Sequence, residues 1–309
     1  MKAPNHLSSQ WVISRRKFIW QSSLTTLAMT SGFSLTTTKN NLRFGLTADS
    51  HYAKRPQRGT RFYNESHLKM REFVQIMNQK KVDFIMHLGD MKDQDENEKE
   101  QDTLNYLNII ESEFSNFNGP KYHCVGNHDV DSITKSQFLN GIENTNIPKT
   151  NSYYSFDFNP FHCIVLDANY TEDGMDHFYK NPIDFQNTNI PEKEINWLEK
   201  DLLENKNKMV LVFCHHPLFE YFKKKYRLHI NNYKEIQELF LSHGNVTAVF
   251  QGHVHEERFQ RIQGTHYITQ LGMVDYSGLN NNCFALVEID QQGIEIFGYK
   301  RSSDQSLAI

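Results

Sequence analysis

Five short polar motifs, each directly after an apolar run, constrain this chain more than any other feature of its sequence. In open α/β sheets, functional sites lie at the carboxyl ends of the strands. The five motifs therefore predict that side chains far apart in the sequence meet at one edge of the fold. The motifs are Asp49-Ser50-His51, Gly89-Asp90, Gly126-Asn127-His128-Asp129, His215-His216-Pro217 and Gly252-His253-Val254-His255.

Apolar periodicity predicts an α/β fold. Helical spacing occurs over 65–80, 98–114, from Pro191 onward and over 233–241. The order of elements is βαβα, a strand pair, βαβα and then strands only, which predicts a four-layer αββα sandwich of two mixed sheets flanked by helices. One domain is expected over 41–309. The strands are predicted at 44–48, 82–88, 122–125, 152–158, 161–167, 209–214, 246–250, 258–262, 266–270, 284–289 and 294–299.

The amino-terminal forty residues differ from the rest. Ser14-Arg15-Arg16-Lys17-Phe18-Ile19 resembles the twin-arginine export motif and is followed by a weakly apolar, Ser- and Thr-rich stretch. Residues 1–40 are therefore predicted to be a signal peptide and linker. Export from a bacterial cytoplasm to the periplasm follows, without stable membrane association after signal removal. A chance Arg-Arg pair before a surface helix and a retained membrane anchor are the alternatives.

Composition limits the partners. The net charge of -4 gives no global basic field, so no nucleic-acid polymer is expected as a partner. Three of the four cysteines lie inside strand runs, which favours buried free thiols over disulfides. Histidines inside strand runs, namely His87, His123 and His162, are predicted to be structural.

The motifs supply metal ligands. Asp49 and His51 are two apart on an extended segment, so alternation would place both side chains on one face, where they can share an ion. Asp90 can bridge two ions with its two oxygens. Mixed nitrogen and oxygen ligands suit Mn, Fe, Zn or Co better than Ca or Mg, and two such ions commonly serve phosphoester hydrolysis. An amide and further imidazoles come from Asn127, His215, His253 and His255.

With these motifs, the chain resembles the calcineurin-like metallophosphoesterases over residues 43 to about 300. The resemblance implies the αββα fold and two divalent ions. It implies that His128 contacts the scissile phosphate and can protonate the leaving group, and that Asp129 orients His128. The implied ligands are Asp49, His51, Asp90 and His255 for the first ion, and Asp90, Asn127, His215 and His253 for the second.

A closer similarity is to the manganese-dependent ADP-ribose/CDP-alcohol diphosphatase branch. It rests on 44–49 with Tyr52, on Arg61-Phe62-Tyr63, on 82–90 and on Trp197-Leu198. The branch often has Gln where this chain has His51, and export fits poorly with a cytosolic nucleotide substrate. The predicted activity is hydrolysis of phosphodiester or diphosphate bonds in small nucleotide-like or glycerophospho substrates. The alternatives are an exported, phosphate-scavenging phosphomonoesterase and a non-catalytic scaffold of the same fold.

Two basic segments are candidate substrate contacts. Arg58 and Arg61 lie in the loop after His51, where they can capture an anion or form a solvated loop. Tyr221 begins a second segment, 221–227, in which aromatic residues alternate with cations. That segment can line the rim of a site or form a charged surface turn.

Overall fold

Two six-stranded mixed sheets form the centre of the fold. The computed structural model describes residues 41–177 and 186–309. The predicted signal peptide lies outside these residues. In chain order the strands are β1 Leu42–Thr47, β2 Phe84–His87, β3 Lys121–His123, β4 Tyr154–Phe158, β5 Phe161–Leu166, β6 Met209–Cys214, β7 Phe222–Lys223, β8 Tyr226–Arg227, β9 Val246–Gln251, β10 Arg258–Ile262, β11 Thr265–Thr269, β12 Cys283–Ile289, β13 Gly293–Lys300 and β14 Gln305–Ala308.

The strand order places parallel strands at the centre of each sheet. The first sheet has the order β14-β13-β12-β1-β2-β3, and the second has β10-β11-β9-β6-β5-β4. Strands β1, β2 and β3 are parallel, as are β5, β6, β9 and β11. Their carboxyl ends therefore share an edge within each sheet. Strands β7 and β8 form a separate small hairpin.

Phenylalanine rings fill the space between the two sheets. Phe44 and Phe84 of the first sheet stack at 4.8 Å between ring centroids. Phe213 and Phe250 of the second sheet meet the Phe44 ring edge-on at 5.6 and 5.4 Å. All four side chains are fully buried, and each such burial stabilises the fold by about 1.5–3 kcal/mol. This cluster joins the sheets face to face.

Helices cover the outer faces of both sheets. One apolar cluster joins the first sheet to α1, α2 and α3, and another joins the second sheet to α4 and α5. With the central cluster, these layers form an αββα sandwich, so the predicted fold class is confirmed. The helices are α1 Ser66–Lys80, α2 Glu100–Phe114, α3 Lys135–Gly141, α4 Glu192–Glu204 and α5 Tyr233–His243.

One helix and three short strands were not predicted. Helix α3 begins with a capping box, in which the Thr134 side chain and the Gln137 backbone and side chain bond reciprocally, a signal visible in the sequence. The hairpin β7–β8 lies in a segment predicted to be a loop, because two-residue strands leave no periodicity. Strand β14 has only four residues, two of them polar, and pairs at a sheet edge.

The predictions about the cysteines, His87 and His123 are confirmed. All four cysteines are buried and unpaired. His87 contacts Ser50, and His123 contacts Glu111 and Asn144, so both have structural partners. Among the helices of 41–177 and 186–309, none combines the length and hydrophobicity that a bilayer crossing requires.

His162 on β5 lies between two carboxylates. Its Nδ1 donates to Asp157 at 2.8 Å and its Nε2 donates to Asp201 at 2.6 Å. Only the imidazolium form has a proton on both nitrogens. Burial lowers the pKa of His162, but the hydrogen bonds to both carboxylates outweigh it and raise that pKa above the ordinary value. The protonated form therefore stabilises the fold.

We predict that His162→Gln destabilises the protein in a pH-dependent way. A raised folded-state pKa contributes stability that is fully present below the unfolded pKa of about 6.5 and is lost as pH rises through the folded value. The free energy of unfolding should fall by about 1–2 kcal/mol at pH 6 and by less at pH 9, measured by urea denaturation. His243→Gln, at a half-exposed helix end, is the control; an equal loss at both pH values would contradict the account.

Candidate metal centre

The motif backbones adopt strained conformations. Five of the seven predicted ligands have positive φ: Asp49 at 54°, His51 at 44°, Asp90 at 56°, His253 at 70° and His255 at 57°. Such conformations are uncommon outside glycine, cost on the order of 1–3 kcal/mol each and cluster at functional sites. Asp49 and His51 therefore share a site because the chain turns at each of them. Strand alternation, on which the prediction rested, is not the cause.

Glycines beside the ligands leave space for them. A Cβ on Gly126 would lie 2.1 Å from the Asp90 backbone nitrogen, and one on Gly252 would lie 2.7 Å from an Asp49 oxygen. Both distances are far below contact distance. The glycines of Gly-Asn-His and Gly-His-Val-His therefore allow chain segments from neighbouring strands to approach closely.

The ligands predicted for the first ion lie together. The Nε2 atoms of His51 and His255 are 3.1 Å apart. Asp49 Oδ1 lies 3.8 and 3.5 Å from these two nitrogens, and Asp90 Oδ2 lies 3.4 Å from His51 Nε2. Donor atoms about 2.0–2.2 Å from one ion are separated by about 3.0–3.6 Å from each other. The cluster has the dimensions of a metal site.

The ligands predicted for the second ion form an adjoining cluster. His215 Nε2 lies 3.2 Å from each of three atoms: Asp90 Oδ2, Asn127 Oδ1 and His253 Nδ1. The neighbouring His216 ring packs against the His253 ring at 4.6 Å between centroids. His215 therefore faces the cluster, and His216 packs beside it against His253.

The hydrogen bonds at the back of the rings show that these clusters fit cations. Nδ1 of His51 faces an Asp93 carboxylate oxygen, Nδ1 of His255 faces Asp275, and Nδ1 of His215 faces the Leu88 carbonyl. Those oxygens only accept, so Nδ1 carries a proton on each ring, and in the neutral ring Nε2 presents a lone pair. Lone pairs at 3.1–3.2 Å with carboxylate oxygens among them repel one another unless a cation lies between them.

Asp90 joins the two clusters through one oxygen. Its Oδ2 faces both His51 and His215, whereas its Oδ1 accepts the backbone N–H of His128 at 2.7 Å. The prediction that both oxygens bridge the ions stays a prediction, and in this geometry only Oδ2 faces both clusters. The second oxygen fixes the carboxylate to the Gly126-Asn127-His128 turn.

Asp129 has a different task from the predicted one. Its carboxylate accepts backbone N–H groups of Asp90, Met91 and Gly126, each at 2.8 Å. It therefore ties the loop after β2 to the loop after β3 and holds Asp90 in place. His128 Nδ1 instead contacts Asp131 Oδ2 at 3.0 Å. The prediction that Asp129 orients His128 is wrong, because its oxygens are occupied by the backbone.

Protonation differs sharply among the histidines. Burial, with the nearby Arg61 guanidinium, lowers the pKa of His51 to about 3, which keeps the ring in the neutral form that binds metals. Burial also lowers the pKa of His128, but Asp93, Asp90 and Asp131 outweigh it and raise that pKa to about 10. Divalent ions in the adjoining clusters would oppose this rise, since they repel the proton.

A cavity of about 550 Å³ opens onto both clusters. Arg61 and Lys223 line it as cations, and Val130, Leu228 and Val254 line it as apolar residues. Arg61 Nη2 lies 3.5 Å from His255 Nε2. The cavity therefore combines cations near the first cluster with an apolar wall.

The family sequence model described as calcineurin-like phosphoesterase matches residues 42–257. The chain belongs to this family. It is a metal-dependent phosphoesterase, and the resemblance stated from the motifs is confirmed. The roles of the individual ligands, of His128 and of the cavity cations stay predictions that the geometry supports.

Similar proteins fall within the same group of activities. The chain is 25% identical to the manganese-dependent ADP-ribose/CDP-alcohol diphosphatase of Arabidopsis thaliana, over 86% of this chain and 92% of that protein. It is 22% identical to the protein of that name in Oryza sativa subsp. japonica, over 74% and 83%. A dimetal phosphatase from Danio rerio shares the fold at 19% identity, with a TM-score of 0.73 and coverage of 86% and 98%.

Two of the three predicted substrate contacts do not line the cavity. Arg58 is exposed, and its backbone pairs with Arg61 in a turn that presents the Arg61 side chain. Tyr221 is buried, its hydroxyl donates to Glu256, and its ring packs under Arg258. Lys223, two residues further on, lines the cavity in its place.

The sequence did not predict three acidic residues that contact the site histidines: Asp93, Asp131 and Asp275. Asp93 and Asp131 follow motif residues by two or three positions, a weak signal that sequence proximity could have supplied. Asp275 lies in the loop after β11, where it accepts from His255 and from Thr60, and no motif marks it.

We predict that Asp90→Ala loses metal and turnover together, because one carboxylate serves both clusters. His128→Ala should keep two ions per chain and lower kcat by about 10²–10⁴-fold, the usual range for a lost general acid. Metal analysis and steady-state kinetics on the same samples measure both. The control is Glu96→Ala, an exposed acid in the same loop as Asp90. Two retained ions and full turnover in Asp90→Ala would overturn the site assignment.

Proposed function

We propose that the protein hydrolyses the diphosphate bond of small nucleotide-like substrates. The observation that carries the proposal is the Arg61 guanidinium, 3.5 Å from a nitrogen predicted to bind the first ion. A guanidinium this close to a divalent ion is stabilised by anions near both. Asp275 is one such anion, and a second phosphate group would supply another, whereas a simple monoester has no further phosphate to place there.

Lys223 adds a second cation to the same side of the cavity. Its Nζ lies 3.4 Å from the Val254 carbonyl oxygen, between the two histidines of Gly-His-Val-His, and 3.0 Å from Glu256. The charge of Lys223 is thus partly offset in the absence of substrate. Two plant relatives named as diphosphatases agree with a substrate that carries two linked phosphates.

The apolar wall suits the organic part of such a substrate. Val130 and Leu228 lie in the same cavity as the cations, and about 550 Å³ falls within the range of small-ligand sites. His177 also lines the cavity, and its Nε2 donates to the Asn187 carbonyl at 2.7 Å. Burial lowers the pKa of His177, which favours a neutral ring beside the organic group.

The residues divide the chemistry among them. Two divalent ions, when bound, neutralise phosphate charge and activate water; manganese in the plant relatives' names makes it the first metal to test. Arg61 and Lys223 bind the phosphate that does not react. The His128 ring, 4.7 Å from the His51 ring between centroids, lies at the mouth of both clusters and donates a proton to the leaving oxygen.

We predict that Arg61→Ala selectively impairs diphosphate substrates. Loss of a charged hydrogen bond worth about 1.5–3 kcal/mol should lower kcat/KM for ADP-ribose and CDP-choline by about 10–100-fold. Turnover of bis(p-nitrophenyl) phosphate should change by less than about threefold. Arg58→Ala, an exposed arginine of the same turn, is the matched control, and metal content is measured for each variant.

The same assay separates the alternatives. Metal-free protein reloaded with Mn is tested on those substrates together with glycerophosphocholine, a cyclic nucleotide and p-nitrophenyl phosphate. Preference for the monoester would contradict the proposal and favour a phosphate-scavenging phosphatase. Two bound ions with no turnover of any substrate would favour a non-catalytic scaffold.

We propose also that the protein is exported through its twin-arginine motif, on the sequence of residues 14–19 alone. Replacement of Arg15 and Arg16 by lysine keeps the charge but removes the motif. In a bacterium with this pathway, the parent should accumulate in the periplasmic fraction and the double variant in the cytoplasm. Equal distribution of the two would refute the proposal.

A further inference from the structure

Two carboxylates, those of Asp93 and Asp131, lie near Nδ1 of the His128 ring, and they make different hydrogen bonds. Asp93 Oδ2 accepts from His51 Nδ1 at 3.1 Å, and Asp93 Oδ1 accepts the backbone N–H of Gln94 at 2.7 Å. Arg55 adds a further contact to Asp93 Oδ1 at 3.4 Å. The separation from Asp93 Oδ1 to His128 Nδ1 is 3.7 Å, which is too long for a hydrogen bond. Asp93 is therefore the hydrogen-bond partner of His51 and not of His128.

Asp131 is placed to hold His128. Its Oδ2 lies 3.0 Å from His128 Nδ1, within hydrogen-bond distance. Its Oδ1 faces Lys92 Nζ at 2.5 Å and accepts from Ser132 Oγ at 3.0 Å. Both oxygens of Asp131 are therefore held, which leaves the carboxylate little freedom to turn away from the ring.

Lys92 is the unusual member of this group. Its side chain is fully buried in the loop after β2, three residues after Gly89. A buried ammonium without a partner is strongly unfavourable, so Lys92 requires Asp131. Ser132 Oγ accepts from Lys92 Nζ at 3.1 Å and contacts Thr103 Oγ1 on α2 at the same distance. The group thereby anchors the wall of the site to a helix.

We propose that Asp131, fixed by Lys92, is the positioning residue of His128, whereas Asp93 supports the metal ligand His51. The hydrogen bond from His128 Nδ1 to Asp131 directs Nε2 of the ring into the cavity, where the leaving oxygen would lie. Asp129, adjacent to His128 in the sequence, cannot take this role because backbone N–H groups occupy its oxygens. The effect on turnover rests on the proposed function; the hydrogen bond itself does not.

The hydrogen bond is tested first, without substrate. In the zinc-loaded full chain, which is diamagnetic, ¹⁵N-histidine NMR should show a downfield, slowly exchanging Nδ1–H proton of His128, assigned by its absence in His128→Gln. Asp131→Ala should abolish this signal, whereas Asp93→Ala, measured in excess zinc to offset its weaker metal binding, should retain it. Loss in Asp93→Ala with retention in Asp131→Ala would overturn the proposal.

Turnover supplies the second test. Hydrolysis of an aryl phosphodiester depends more strongly on a well-placed acid as the leaving group changes from p-nitrophenol to phenol. Asp131→Asn should lower kcat by about 10–100-fold for the phenyl ester and by less than about threefold for the p-nitrophenyl ester, with two ions retained. Lys92→Met should likewise lower kcat more for the phenyl ester than for the p-nitrophenyl ester.

The control for this series is Asp93→Asn, which should lower metal content instead, because His51 loses its support. A uniform loss across leaving groups in Asp131→Asn, or loss of its metal, would show a merely structural role and refute the proposal. If the parent turns over no ester, the proposed function fails, whereas the NMR comparison still decides the positioning claim.

Discussion

Histidine nitrogens and carboxylate and amide oxygens converge at the carboxyl ends of the central strands. Three imidazoles have their Nδ1 atoms bonded to oxygens behind them, so their Nε2 atoms face carboxylate and amide oxygens at 3.2–3.8 Å. This arrangement brings together atoms that bind cations. The strained φ angles, the glycines beside the ligands and the buried acids behind the rings all serve to maintain it.

The fold supplies this arrangement through backbone pairing beyond the strands. Hydrogen bonds between β1 and β2 continue into the loops, from His51 N to Asp90 O at 2.9 Å and from Tyr52 N to Met91 O at 3.1 Å. The loop after β11 joins in, since Val274 N donates to Asp49 O at 3.0 Å. Three loops are thus held together by backbone hydrogen bonds of the protein itself, and these loops carry the predicted ligands. Preorganisation of this kind makes a site selective.

The sequence predicted those parts that depend on local pattern. Strand-end motifs such as Gly89-Asp90 and Gly126-Asn127 are local, and parallel pairing brings their ends together, so the layers and the ligand clusters follow from periodicity and motif order. Leu68 fits the helical period of α1, yet is 43% exposed, because periodicity sets the apolar stripe only approximately. Helix α3 was missed although its Thr134 cap was readable.

Partner choice among side chains could not be predicted in this way. Asp129 is adjacent to His128 along the chain and Asp131 lies three residues away, and only the loop geometry decides that the nearer carboxylate binds backbone and the farther one binds the ring. Tyr221 and Lys223 lie in one segment, and only the hairpin decides which of them faces the cavity. Asp275 is brought to His255 by the loop after β11, for which the sequence contains no signal.

The most direct test of the metal centre is a crystal structure of the manganese-loaded protein, with anomalous difference maps measured at the manganese edge. The account predicts two peaks about 3.5–4 Å apart, with Asp90 Oδ2 between them and Asp49, His51 and His255 around one peak. Asn127, His215 and His253 should surround the other. A single peak, or two ions that do not share Asp90, would contradict it.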